Sequence, residues 1–254
     1  MNDGGAWRLL APVVRDAAVL LGQFQAVLEA VGAGQAPPTV CCERWASSAL
    51  ILGAGQSAAD ANLPGCRARG VAVVRRLAGG TAVYATPDYL SFAVVAPAAH
   101  PLVSGALMAT YRRLGEAVVA ACAALGLSTR LIAPYEVLVG NRKLVGVAQV
   151  RRFGAVAYVG GLYRTLIPAE QGICLAGDAA LRAERAAQLA ACTIDLATLG
   201  RPGALDQFPT ALVAALGGCQ GIIPTPGEFT DAERARAARL TAERYARDEW
   251  TLRT

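Results

Sequence analysis

The 254-residue chain carries 24 Lys+Arg against 19 Asp+Glu, for a net charge of +5 and a pI near 9.0, and its mean hydropathy is +0.38. Much of the apolar content is alanine, and no run approaches the roughly 18 uninterrupted apolar residues of a membrane span; Met1-Asn2-Asp3-Gly4-Gly5 shows no basic leader region. These features predict a soluble cytoplasmic protein with no membrane partner, and the absence of a Lys/Arg block with interleaved aromatics argues against nucleic acid.

In chain order, residues 7–33 predict a short apolar segment followed by a helix ending at Gly32 and Gly34, with a Gly-Gln-Ala-Pro-Pro loop after it. Short β-rich runs follow at Ala49–Leu52, Val71–Val74, Thr81–Ala85 and Leu90–Ala96. Residues 102–125 predict a helix, because Leu107, Tyr111, Leu114, Val118, Ala121 and Leu125 recur three and four apart and Gly126 supplies a stop. Tyr135–Val139 and Leu144–Val150 predict a hairpin through Gly140-Asn141, two residues that tolerate positive φ. Lys143 then sits just beyond the turn. Ala155–Val159 predicts a strand and Ala179–Cys192 a helix. Thr230-Asp231-Ala232-Glu233 has capping-box spacing and opens a C-terminal helix with Ala238, Ala242 and Tyr245 on one side. The expected fold is α+β, with a mixed, largely antiparallel sheet flanked by helices, in one domain spanning 1–254.

Seven cysteines, at 41, 42, 66, 122, 174, 192 and 219, form no CxxC pair, and His100 is the only histidine. This argues against a metal site or disulfide framework and predicts buried, inert thiols, with Cys192 in the core face of its helix. His100, beside Pro101, reads as a solvated loop residue, and the arginines of the last helix as a solvated face. Of the 24 basic residues one is lysine, Lys143. A chain that has replaced lysine everywhere else keeps it where the compact ammonium and the planar guanidinium are not interchangeable; chance survival explains the count equally well until the flanking sequence is considered.

Two segments decide. Val73-Val74-Arg75-Arg76-Leu77-Ala78-Gly79-Gly80-Thr81-Ala82-Val83-Tyr84, followed by Asp88-Tyr89-Leu90-Ser91-Phe92, resembles the Arg-rich, double-glycine acyl-adenylate loop of the biotin/lipoate protein ligase and lipoyl (octanoyl) transferase superfamily. Gly140-Asn141-Arg142-Lys143-Leu144-Val145-Gly146 is similar to that superfamily's lysine motif, in the same order and at a similar separation. Weaker echoes lie at Trp7–Leu10, Leu52–Gln56 and Leu240–Trp250.

The resemblance implies a biotin/lipoyl ligase catalytic domain and, as its first reading, a lipoate-protein ligase. ATP and magnesium, as substrates rather than a tightly bound cofactor, would convert lipoate or octanoate to acyl-AMP, and a lysine of a lipoyl-domain or other lipoyl-carrier protein would displace AMP. Lys143 would stabilise charge at the acyl carbonyl and phosphate. Gly79 and Gly80 would let the backbone approach the phosphate, and Arg75 and Arg76 would pair with its oxygens. Thr81, Ala82, Val83 and Tyr84 would line the nucleotide, and Gly146 would allow close packing beside the ligand. No metal-ligating residue is assigned. A separate C-terminal accessory domain is not expected, so that function would be either absent or supplied by a separate accessory subunit. The chain departs from the ligase pattern at Ala78, Thr81, Ala85-Thr86 and Val159-Gly160-Gly161, where the resemblance leads one to expect serine, glycine, histidine-aspartate and histidine-glycine.

The alternatives are an ATP-independent octanoyl or lipoyl transferase working through a cysteine thioester, and a catalytically silent binding module. One transferase branch carries its cysteine just before the strand preceding the lysine motif, where this chain reads Ser128-Thr129-Arg130-Leu131-Ile132. Another carries it a few tens of residues after the lysine, a distance matched by Cys174 without the Pro-Cys-Gly context.

Overall fold

A computed structural model describes residues 6–132 and 136–253. An eight-stranded sheet contains, in spatial order, β11 (Thr225–Gly227), β1 (Arg8–Arg15), β2 (Thr39–Trp45), β6 (Tyr89–Pro97), β10 (Ala155–Tyr163), β9 (Arg142–Arg152), β8 (Glu136–Val139) and β7 (Arg130–Ile132). Only β1 pairs in parallel, with β11 and with β2, and the other neighbours are antiparallel. A second sheet places β3 (Ala49–Leu52) between β4 (Ala72–Arg75) and β5 (Val83–Ala85). The sheet is therefore mixed and largely antiparallel, as expected from the sequence.

Helices cover both faces. On one, α3 (Leu107–Ala124) and α6 (Ala204–Gln220) bury Leu114, Val118, Phe208 and Leu212 against Val40, Phe92, Val94 and Tyr158. On the other, α1 (Ala17–Gly32) places Val27, Leu28 and Val31 over Cys41, Ala93, Val95 and Ala157. Helix α7 (Asp231–Leu240) packs on α1, and its N-terminus carries both hydrogen bonds of the Thr230–Glu233 capping box. Two short helices, α2 (Leu63–Ala68) and α4 (Pro168–Cys174), lie behind the small sheet, and α5 (Ala179–Cys192) runs along the surface with no buried residue. Among the described residues no helix is long and apolar enough to cross a membrane.

Several local expectations are corrected. Helix α3 starts at Leu107 rather than 102, because Gly105 takes φ +83° ahead of it. In α7 the buried positions are Glu233, Ala237 and Leu240, not Ala238; a π turn over Thr241–Tyr245 adds one residue to the phase and brings Tyr245 inward, leaving Ala242 exposed. Arg236 of this supposedly solvated face pairs with Glu29 of α1 at 2.7 Å. His100 is half-buried, its ring edge-on to Trp7 at 5.3 Å and its Nδ1 accepting from the Leu102 N–H. Tyr135, expected to open β8, lies outside the described residues.

Candidate active site

Lys143 is held by backbone geometry on both sides. Strands β8 and β9 form a two-residue hairpin in which Val139 pairs with Arg142 and Leu138 with Lys143. Gly140 takes φ +55° and Asn141 does not take positive φ, so only the first turn position uses the freedom the sequence offered. The Lys143 carbonyl accepts from the Ile194 N–H at 2.9 Å, and Lys143 bridges Thr193 in parallel. Arg142 donates to the Thr193 carbonyl through Nε and Nη2. The segment after α5 thus clamps the lysine backbone from outside the hairpin.

The Lys143 side chain stays accessible, and its Nζ donates to Glu136 Oε1 at 3.0 Å. The Lys143 stem passes Gly146: a Cβ there would meet the Lys143 Cδ at 3.9 Å, an ordinary contact. One register row across the sheet runs Glu43, Ser91, Gly161, Gly146, Glu136. Two glycines therefore face each other beside the lysine and form a floor without side chains. The Tyr89 ring lies over part of it, since a Cβ on Gly161 would fall 2.0 Å from Tyr89 Oη.

Tyr89 stacks on Tyr163 with ring centroids 4.6 Å apart, and the Tyr163 hydroxyl donates to the Tyr84 carbonyl. Burial pushes the Tyr89 phenol up to about 12, against a smaller opposing pull from the Arg76 charge. Burial also draws the Arg76 guanidinium below its ordinary value, with Tyr89 and Tyr163 opposing. The tyrosine pair spans from the strand after the glycine loop to the lysine hairpin: Tyr163 reaches the Tyr84 carbonyl, and Tyr89 overlies Gly161 beside Gly146.

Within the loop, Arg76 donates to the carbonyls of Ile51, Gly79 and Thr81 at 2.7–3.0 Å. Gly80 takes φ +91°. A Cβ on Gly53 would lie 1.8 Å from the Gly80 carbonyl oxygen, so the turn after β3 supports the loop from beneath by a contact only glycine permits. Gly79, Gly80 and Thr81 are exposed, Ala82 and Val83 half-buried, and Tyr84 is buried in the cluster behind the small sheet with Leu50, Cys66 and Cys174. Arg75 is placed differently from Arg76: at 1% exposure, its Nε, Nη1 and Nη2 donate to the carbonyls of Thr251, Gly53, Gln56 and Arg253. Its donors face backbone rather than the cleft.

Of the residues the sequence singled out, the structure brings Lys143 and Gly146 together at the hairpin and Arg76, Gly79, Gly80 and Thr81 together in the loop, with the tyrosine pair reaching from Gly161 to the Tyr84 carbonyl; the Arg75 and Tyr84 side chains turn away. Tyr89, Tyr163, Gly161, Glu136 and Thr193 were missed as site residues, and each is brought in by strand register or chain return.

The cysteines divide in a way the sequence did not anticipate. Cys41, Cys42, Cys66, Cys122 and Cys174 are buried, whereas Cys192 and Cys219 are exposed, which corrects the expectation for both. Burial pushes Cys42 and Cys122 up to about 12. Cys66 and Cys174 share a hydrogen bond that, with burial, raises Cys174. Cys192 closes α5 one residue before Thr193, its Sγ 3.7 Å from Thr193 Oγ1. At the position where one transferase branch carries its cysteine, Arg130 donates to the Gly140 carbonyl and to Asn141 Oδ1, bracing the hairpin turn.

The model of the lipoyl protein ligase A/B catalytic domain matches residues 16–214. The chain belongs to that family. It is thus an enzyme of the lipoate ligase and transferase group. Proteins named octanoyltransferase LipM match over nearly their whole length: that of Moorella thermoacetica is 30% identical over 97% of this chain and 98% of its own, and that of Kyrpidia tusciae is 30% identical with the same coverage. Among solved structures, the bipartite lipoate protein ligase of Thermoplasma acidophilum superposes with a TM-score of 0.87 at 23% identity, covering 97% of this chain and 96% of that one. That likeness establishes the fold. The expectation of an ATP-dependent lipoate-protein ligase is overturned by the full-length relatives, whose names are those of transferases.

Proposed function

We propose that the chain is an ATP-independent acyltransferase that moves an octanoyl or lipoyl group from the thioester of an acyl carrier onto a lysine of a lipoyl-domain or other lipoyl-carrier protein. The observation that carries this reading is the match, over 97% of the chain, to proteins named octanoyltransferase.

In such a transfer a nucleophile adds to the thioester carbonyl, negative charge gathers on its oxygen, and the donor thiol departs. Lys143 is suited to stabilise that oxygen: its ammonium ends a flexible stem that passes Gly146, next to the Gly146–Gly161 pair, and its backbone is fixed on both sides. Glu136 keeps the ammonium aimed along the strand until a ligand competes for it. For a thioester form of the enzyme, Cys192 is the candidate thiol, since it is exposed and lies one residue from the lysine clamp, whereas five of the other thiols are buried.

The test incubates the protein with a lipoyl domain and an octanoylated acyl carrier, with and without ATP–magnesium, and separately with free octanoate plus ATP–magnesium, reading acceptor mass. Transfer from the carrier without ATP is the expected result. Modification solely from the free acid with ATP sinks the proposal.

A further inference from the structure

The last residues of the described chain are tied to the glycine loop by a set of hydrogen bonds, alongside the packing of Trp250 against the core beneath α1. The buried Arg75 guanidinium joins the Gly53 and Gln56 carbonyls to those of Thr251 and Arg253, 176 and 178 positions away in sequence. Trp250 Nε1 donates back to the Arg75 carbonyl at 3.0 Å, and Arg253 Nη2 donates to the Ala54 carbonyl at 3.0 Å. Two guanidinium groups lie over the Trp250 indole, Arg253 at 3.7 Å and Arg244 at 4.5 Å, with Tyr245 edge-on.

From the 53–56 turn the connection to the loop is direct. The Ala54 N–H donates to the Ala78 carbonyl at 2.8 Å, and Gly53 abuts Gly80. The exposed residues Gly79, Gly80 and Thr81 contribute little side chain of their own to fix the loop. Arg76 holds the loop from within, the turn beneath supports it, and the C-terminal segment is bonded to that turn. That segment cannot stand alone: its helix, α8 (Asp248–Thr251), is four residues long with no side-chain cap.

We propose that residues 248–253 are a clasp that sets the position of the glycine loop, and that Trp250 and Arg253 are positioning residues for the acyl donor. The kinetic part of this inference rests on the acyltransferase reading; the structural part does not. The test compares wild type with Arg253→Ala, which loses the Ala54 bond and one face of the indole stack, and Trp250→Phe, which keeps an aromatic ring and loses the bond to Arg75. Hydrogen exchange is measured at residues 53–56 and 76–81, with β6 and β10 as an internal reference for intact folding. Losing one hydrogen bond from a charged donor predicts about tenfold faster exchange in the loop for Arg253→Ala. It also predicts a rise of about tenfold in KM for the acyl-carrier donor with kcat little changed. Leu216→Ala, in the core on the opposite sheet face, lowers stability and is expected to leave that KM alone. Loop exchange at the wild-type rate in both variants overturns the clasp, as does a donor KM that rises equally in Leu216→Ala. If wild type transfers no acyl group, the acyltransferase reading falls and the exchange result alone decides the clasp.

Discussion

Gly53→Ala is the smallest change that should move the glycine loop without removing a polar side chain. The added Cβ would stand 1.8 Å from the Gly80 carbonyl oxygen, where ordinary contact begins near 3.4 Å, so about 1.6 Å of separation must be found. Neither side yields easily. Gly53 is fixed by its N–H to Gln56 Oε1 and its carbonyl to Arg75, and the loop is fixed by Arg76. Overpacking of this kind costs about 1–3 kcal/mol of stability. If the loop holds the donor, displacement by more than an ångström costs about 10²-fold in kcat/KM, or about 2.7 kcal/mol of transition-state stabilisation. Gly55→Ala is the control, two residues away, where an added Cβ meets nothing within 4 Å. The assay is octanoyl transfer from carrier to lipoyl domain, with thermal unfolding run alongside. Equal activity in the two variants, with Gly53→Ala folded, would refute the claim that Gly53 supports a working loop.

Lys143→Arg should lose about 10²–10³ in kcat while the unfolding midpoint barely moves, because a planar fork cannot take the ammonium's place; substantial retained turnover removes Lys143 from the chemistry. Cys192→Ser should abolish any acyl-enzyme adduct seen by mass after mixing with donor alone, whereas Cys174→Ser, in the buried cluster, should leave the adduct; full transfer by Cys192→Ser would mean that the acyl group passes directly from donor to acceptor. Burial pushes the Glu43 carboxyl from an ordinary 4.5 up to about 8, so between those values the unfolded chain binds fewer protons than the folded one and stability falls as pH rises. Glu43→Gln should flatten that fall when midpoints are compared at about pH 5, about pH 6.5 and about pH 8; parallel profiles for the two proteins contradict the assignment.

The parts of the fold legible in sequence are those governed by local pattern. Ala49–Leu52 and Ala179–Cys192 end where the sequence reading placed them, and the Gly140-Asn141 hairpin forms as expected. Strand β2 went unread because it is central: Thr39 to Cys42 are buried on both faces, so no alternation marks it. Helix α6 went unread because Pro209 lies inside it and Gly203, Gly217 and Gly218 punctuate its ends, although Leu205, Phe208, Leu212 and Leu216 keep helical spacing. The site shows the same division. Lys143 and the double glycine are local signatures, whereas Gly161 beside Gly146, Tyr89 across Gly161, and Thr193 against Lys143 follow from register and from a return of the chain some fifty residues later.

That division also explains why the lysine motif identified the family and misjudged the reaction. Displacement of AMP and displacement of a thiol both place negative charge on the same acyl oxygen, and one ammonium beside a glycine pair serves either. The two reactions differ at the leaving group, and a phosphate needs donors that are still free. Here four N–H groups of Arg75 are committed to carbonyls around the 53–56 turn and the C-terminal segment, and three of the five N–H groups of Arg76 are committed to Ile51, Gly79 and Thr81. The arginines that resemble phosphate ligands in sequence hold the loop itself in shape. A loop braced from within by its own arginines leaves fewer donors for a phosphate than the arginine pair suggests in sequence.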